Sequence, residues 1–455
     1  MDRYAVWISK NLLVISLIGI AAFSFNLFIF RDENVLIYDY KRLFISALVV
    51  LNSILIASSK SLKEQAINKS KNIGPKVALL LSTLILFAFI SNIFGFYTVR
   101  GMAELLYFVG LFLLLLSFLD NKHNKLVFEL VVLVSFLCYL SVAVGFLVSV
   151  IYGDGSSVWT ILSYANPRMM NQVQIWLIIP CLYIAVISKS RKSLIPLALH
   201  FSLFFALTAR GLTIAALSGI ALWAIIDKKH RPKILKITLA MLVAGYAIKW
   251  FTLAPFPKFL ITGELGGWTP QLNTSDSGRL EMWLYALQHI SIIGHGGDAF
   301  VCNSPYNSRP HNSVLLVAFN WGVIASICYV LLIAILFFKV IFEKRTKTKM
   351  WGATLLSGIA YSFISGVLDS PLSQLLFIST LALYWQASSP LDKIEKRKPY
   401  IFLVLLCLCV TFSVSTRVFE RVTNNFYLAE EHIPETYKPQ FWYGNNCVDV
   451  KQHIK

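Results

Sequence analysis

The sequence predicts an all-α polytopic membrane protein with about twelve to thirteen transmembrane helices and one large loop on the outer side. Two facts of composition and one of patterning carry that reading. Of 455 residues, 57% are hydrophobic and only 14% are charged, against about 25% charged in soluble globular proteins. Mean hydropathy is +0.66. The apolar residues come in long blocks, without the spacing of an amphipathic helix or a half-buried strand. A water-soluble enzyme, a coiled coil and a disordered chain are thereby excluded. Glycines and prolines lie inside the apolar runs, and no ten-residue alternation points to an outer-membrane barrel.

A bilayer core of ~30 Å takes about 20 apolar residues per helix. Thirteen segments qualify, near 11–30, 43–59, 77–96, 102–119, 126–151, 172–188, 194–209, 211–226, 237–253, 312–342, 351–369, 372–388 and 400–418. They divide the chain into N-terminal spans (1–253), a large outer loop (254–311), C-terminal spans (312–418) and an outer tail (419–455). The opening MDRYAVWISK resembles the start of a signal peptide, but no small-residue cleavage site follows, and an uncleaved first span is expected.

Charge sets the sidedness. The net charge of +18 is concentrated in short segments between spans: KSLKEQAINKSKNIGPK after Ser59, then residues 189–193, 227–236, 343–349 and 391–398. Counted from a cytoplasmic N-terminus, all five fall on the cytoplasmic side, as does the small loop at 120–124. That side holds 25 of the 41 Lys and Arg, although the outer segments are longer. This is the positive-inside pattern. A nucleic-acid reader gathers its charge on one soluble face, so no nucleic-acid partner is expected.

The block Leu194–Ile226 tests the count. Both its flanks are basic, so the chain must cross twice and turn at LTARGLT. Each half is about 16 residues, or ~24 Å at 1.5 Å per residue. Arg210 is then held at the outer headgroup level, and an ionisable group at that depth is a functional hypothesis by default.

The seven cysteines show no metal-ligand spacing. Cys138, Cys181, Cys328, Cys407 and Cys409 lie in apolar runs as packing residues. Cys302 and Cys447 both fall on the outer side, where a disulfide between them is chemically open. The cytoplasmic loops contain no phosphate-binding loop, so the chemistry is expected on the outer face, with no metal and no cofactor.

Four outer segments carry that chemistry. In the large loop, SDSGRLEMWLYALQ reads as an interfacial helix capped by Asp276 or Ser277, with Leu280, Trp283, Leu284 and Leu287 in one stripe and Trp283 at headgroup level. Arg279 sits in its first turn, where the helix dipole disfavours a cation by roughly 0.3–1 kcal/mol. It either serves a site or snorkels to lipid phosphate. His311 and Asn312 stand where the chain re-enters the membrane. A histidine there is either a general base or an interfacial hydrogen bonder. His289 and His295 read as a helix-surface and a turn residue.

At the mouth of the sixth span, after the Asn166-Pro167 turn, Arg168, Asn171, Gln172 and Gln174 make a polar cluster and suggest a substrate cavity. Asp369, beside Pro371, is either a helix-end residue or a further outer-edge charge of the site. Arg168, Arg210 and Arg279 on one face, with His311 and Asp369, suit a lipid-linked diphosphate. Guanidinium forks match phosphate oxygens and keep their charge. His311 would remove a proton from an attacking hydroxyl.

At these residues the sequence resembles the bacterial O-antigen ligase family, which includes O-antigen polymerases and protein O-oligosaccharyltransferases. The TARG turn, the run SGRLEMW followed by GHGG, and HNSVLLVAFNWG match in order and spacing over about 160 residues from near Leu207 to Phe363. NPRMMNQVQIWLIIP resembles a stretch of some members. The resemblance implies a GT-C-like, metal-independent membrane glycosyltransferase of the bacterial inner membrane, with its site facing the periplasm. Its donor would be a glycan on undecaprenyl diphosphate, and its acceptor lipid A–core, a growing glycan or a protein hydroxyl. Arg210 and Arg279 would hold the diphosphate and His311 would be the base. Ligase, polymerase and protein transferase stay open as readings. A transporter of lipid-linked sugars is the alternative from another class, but the sequence shows no internal repeat of halves.

Overall fold

The computed structural model describes residues 2–25, 34–152, 161–164, 166–263, 278–306, 309–388 and 400–420. Every described element is helical. The first stretch holds α1 (Asp2–Ser24), α2 (Asn34–Ser58), the short α3 (Lys60–Lys71), α4 (Pro75–Phe94), α5 (Thr98–Phe118) and α6 (Asn124–Ile151). A middle stretch holds α7 (Pro167–Gln174), α8 (Ile178–Ile187), α9 (Ile195–Ala206), α10 (Arg210–Ile226) and α11 (Arg231–Thr252). Three short helices follow, α12 (Phe256–Thr262), α13 (Arg279–Gln288) and α14 (Ala299–Asn303). The chain returns through α15 (Ser313–Ile341), α16 (Thr346–Ser362), α17 (Pro371–Ser388) and α18 (Ile401–Glu420). The tail beyond residue 420, Asp276 and Ser277 lie outside the described residues.

Each of the thirteen expected spans falls on one of these helices. Eight are long and apolar enough to cross a membrane, or nine with the bent pair α7–α8 counted as one. The chain is therefore a multi-pass α-helical membrane protein. Its outward apolar side chains, such as Leu79, Leu239, Val243, Phe338, Phe402 and Phe412, are exposed, as a lipid-facing surface requires. In α5, 72% of the spanning window is buried, against 17% in α4. Thus α5 lies at the centre of the bundle, packed on α2, α17 and α18, while α4 lies at its edge against α15.

The loops that charge sorted together also meet in space. Ser59 donates to Asp2, Tyr400 donates to Glu64 at 3.0 Å, and Lys69 pairs with Asp120 at 2.5 Å. Gln386 donates to the Asn121 carbonyl at 2.6 Å, and Lys233 to the Val186 carbonyl. The segment 59–71 is thereby joined to α1, to the 120–124 loop and to residue 400, and that loop to α17. The sorting has a physical base, because adjacent helices of apolar length alternate direction.

Three spans depart from the expectation of simple rods. The 33-residue block splits as expected into α9 and α10, with Thr208 in the turn at φ 45°. The sixth span breaks between α7 and α8 with a bend of 41°. Pro180 explains it: the ring supplies no N–H and crowds the carbonyl four residues back, at Trp176. The span 312–342 breaks at Gly322, which adopts φ 88° and ψ 172° inside α15. A Cβ at Gly322 would stand 2.1 Å from the Ile292 carbonyl oxygen.

That break receives the GHGG turn. Backbone groups released from the α15 ladder are taken up by it: His295 N–H donates to the Phe319 carbonyl at 3.1 Å and Gly296 N–H to the Asn320 carbonyl at 2.8 Å. Ser91 of α4 also donates to the Asn320 carbonyl, at 2.5 Å. Asn92 accepts from Gly297 N–H at 2.8 Å and donates to the Gly101 carbonyl at 2.8 Å. In a low-dielectric interior each unmade bond of this kind costs about 1–3 kcal/mol, so turn and break are mutually required. The glycines of GHGG are structural: they let the turn sit between α4, α5 and the broken helix.

Candidate functional site

The site is built around the segment 309–312, which leads from α14 into α15. Every residue but one in it is fixed by a side-chain or cap bond. Arg309 is 3% exposed at its side chain. Its guanidinium donates to Asp369 Oδ1 at 3.3 Å and lies 3.6 Å from Glu104 Oε1 and 3.8 Å from Asp298 Oδ1. The Pro310 carbonyl accepts a bond from the Trp283 indole N–H at 2.6 Å. Asn312 caps α15, its Oδ1 accepting from Val314 and Leu315 N–H at 3.0 and 3.1 Å. Between them His311 is held at φ 52°, a left-handed conformation that a non-glycine residue occupies only when its surroundings impose it.

The half-buried His311 ring has a buried Nδ1 with no hydrogen-bond partner among the described residues. Burial first, then the guanidinium groups of Arg279, Arg168 and Arg309, push its pKa from 6.5 down to about 4. The ring is therefore neutral at neutral pH, with one of its two nitrogens unprotonated. Asp369, in the loop between α16 and α17, is raised by burial and partly restored by Arg309. Three positively charged groups thus converge on one neutral imidazole.

Arg168 projects from the first turn of α7 and is exposed, and Arg279 opens α13 and is half-buried. Both also act electrostatically on Tyr361, near the end of α16. Arg210 opens α10 and is exposed. The next residue, Gly211, faces the same Tyr361: a Cβ there would lie 3.1 Å from its ring. The structure therefore brings Arg168, Arg279 and His311 together, with the Arg210 turn against the Tyr361 ring.

Compared with known proteins, the chain matches no family model and no curated relative.

Several expected roles change. Asn312 is explained by its capping bonds and needs no ligand. Asn171 and Gln172 are 4% and 3% exposed and do not line an open cavity in this conformation. Gln174 donates to Asn171 at 3.1 Å, and His200 of α9 bridges Gln174 at 3.0 Å and Ser135 of α6 at 2.9 Å. Gln172 donates to Ser365 at 3.3 Å and its backbone carbonyl accepts from Ser373 at 2.9 Å, while its side-chain Oε1 has no hydrogen-bond partner among the described residues. These amides hold the broken span α7–α8 against its neighbours, since polar groups inside a bundle must find partners. Asn166 caps α7 as expected, accepting from Met169 N–H at 3.1 Å.

The α13 helix is capped by Gly278 at φ 71°, with no side-chain cap. Its leucines 280, 284 and 287 are exposed, as an interfacial helix requires. Trp283, half-buried, donates to the Pro310 carbonyl. His295 stacks on Phe96 and His289 on Tyr285, both in packing roles. Cys138, Cys181, Cys328 and Cys407 are free and buried, and Cys409 is free and exposed. Cys302 is disulfide-bonded; Cys447 lies outside the described residues.

Reading the sequence alone missed Arg309, Glu104 and Asp298. One signal was available: a glutamate in the apolar span VRGMAELLYFVG is expensive in a membrane and ordinarily has a partner.

Proposed function

We propose that this chain is a membrane glycosyltransferase of GT-C-like organisation, using a glycan on undecaprenyl diphosphate at the periplasmic face of the bacterial inner membrane. The observation that supports this best is His311, neutral and with Nδ1 unpartnered among the described residues, among the guanidiniums of Arg279, Arg168 and Arg309. In this reading the acceptor hydroxyl gives its proton to His311 as its oxygen bonds to the anomeric carbon. The bond from that carbon to the diphosphate breaks, and undecaprenyl diphosphate leaves. Arg279 and Arg168, with Arg210 at the neighbouring turn, would hold the diphosphate and stabilise the charge that develops on it. Counted as thirteen spans from a cytoplasmic N-terminus, the chain would carry its five basic loops in the cytoplasm and the His311 segment outside.

We take O-antigen ligase, with lipid A–core as acceptor, as the first reading; the motif order Leu207–Phe363 is shared by polymerases and protein transferases of the family it resembles. The test is the His311→Ala variant, with the cell's lipopolysaccharide as readout. Loss of the O-antigen ladder at normal protein level is expected, and an intact ladder overturns the assignment. Deletion separates the acceptors. Bare core with polymer still on its carrier identifies a ligase, and core bearing one repeat identifies a polymerase. Loss of glycan from a periplasmic protein identifies a protein transferase.

A further inference from the structure

In that scheme Arg309 acts on His311 only through its charge, and the carboxylates around Arg309 have no part. Arg309 is enclosed by carboxylates from three separate elements: Glu104 from α5, Asp298 from the turn before α14, and Asp369 from the loop between α16 and α17. Glu104 is 2% exposed within an apolar span. Its Oε2 has no hydrogen-bond partner among the described residues. A buried cluster of this kind is a poor way to gain stability, because desolvation offsets the Coulomb attraction. It does fix geometry, since each carboxylate constrains the guanidinium from a different direction.

The surroundings are shaped to admit it. A Cβ on Gly297 would stand 2.3 Å from Glu104 Oε2, and one on Gly366 3.0 Å from Asp369 Oδ2 and 3.5 Å from Gln172 Nε2. Two glycines in different loops thus make room for the two carboxylates. The second brings α7, the helix of Arg168, against the same cluster. Two residues along the chain, His311 is held in a left-handed conformation that it would leave if its neighbours were loosened.

We infer that Arg309 is a positioning residue for His311: caged by Glu104, Asp298 and Asp369, it anchors the turn that presents the imidazole to the acceptor. The inference rests on the reading of His311 as the base. Arg309 touches no reacting atom in it; it sets where the imidazole stands relative to Arg279 and Arg168.

The experiment uses purified full-length protein and a polyprenyl-diphosphate-linked glycan with its acceptor, comparing R309K, E104Q and H311A. R309K keeps the charge and loses the fork; E104Q keeps the shape and removes one wall of the cage. Both are expected to lower kcat by about 10- to 100-fold, the scale of a misplaced catalytic group. The donor KM should stay within about twofold. The charges facing His311, from Arg279 on α13, Arg168 on α7 and position 309, are all retained in R309K. The acid limb of its pH profile is therefore expected in place, which separates geometry from electrostatics. Wild-type kcat in R309K and E104Q beside an inactive H311A overturns the positioning role and leaves the reading of the site intact. A parallel loss of donor affinity in both variants also overturns it, since Arg309 would then be general scaffold. Full transfer by H311A overturns both.

Discussion

The indole N–H of Trp283 donates to the carbonyl of Pro310 at 2.6 Å, so the helix that begins with Arg279 and the turn that carries His311 are directly joined. The two candidate groups thus move as one unit, although 32 residues separate them. Replacing Trp283 with Phe keeps most of the ring and removes the donor. The Pro310 carbonyl is left to find water, at a cost of about 1–3 kcal/mol. A lower melting temperature and a several-fold slower transfer are expected, measured on the purified variant. Unchanged values for both would show that the bond is dispensable.

The pH profile carries a sign. His311 must be neutral to accept a proton, and burial with three guanidiniums brings its pKa down to about 4. Activity should hold as pH falls through 6.5 and decline only as it approaches about 4, read as kcat/KM against pH. Arg279→Gln removes one of the charges that lower it, so the limb should move up towards 6.5. A wild-type limb at 6.5 would contradict the description of the imidazole.

Fork geometry is tested at Arg279, Arg168 and Arg210. Lysine keeps the charge at each and loses bidentate contact with phosphate. Transfer should be impaired in all three variants, with a raised donor KM at Arg279 and Arg168, which face His311. Arg210 is not among the charges that act on His311, so its variant should be the mildest. Undiminished transfer in all three would count against diphosphate binding here.

The break in α15 gives a stability prediction. Gly322→Ala adds a Cβ 2.1 Å from the Ile292 carbonyl oxygen, at a φ of 88° that L-residues rarely adopt. Backbone strain of about 1–3 kcal/mol adds to the steric overlap. A clear fall in melting temperature is expected, and a variant as stable as wild type would show that the kink is loosely held.

Much of this architecture is legible in the chain. Each apolar block became a helix, and basic flanks were enough to cut Leu194–Ile226 in two, because membrane length and loop charge act locally along the sequence. Arg168, Arg279 and His311 were placed on one face by the same counting. The Arg309 cage was not legible, since Glu104 lies 205 residues from Arg309 and only packing brings them together. The capping and amide bonds of Asn312, Asn171 and Gln172 were not legible for a related reason. A polar residue at a helix mouth looks alike in sequence whether it meets a ligand, a helix end or another amide. The break at Gly322 escaped notice because one glycine in a long apolar run is unremarkable until something packs against it.

The hydrogen bond between Gln174 of α7 and His200 of α9 at 3.0 Å bears on how the chain enters the bilayer during synthesis. Alone in hydrocarbon, the sixth segment would leave Gln172 and the Gln174 Oε1 without the partners they meet on other helices, and α9, at twelve residues, is too short to anchor itself. Neither is a self-sufficient passenger of the insertion machinery. They must leave it together, with Ser135 of the already placed α6 waiting as the template on which they assemble.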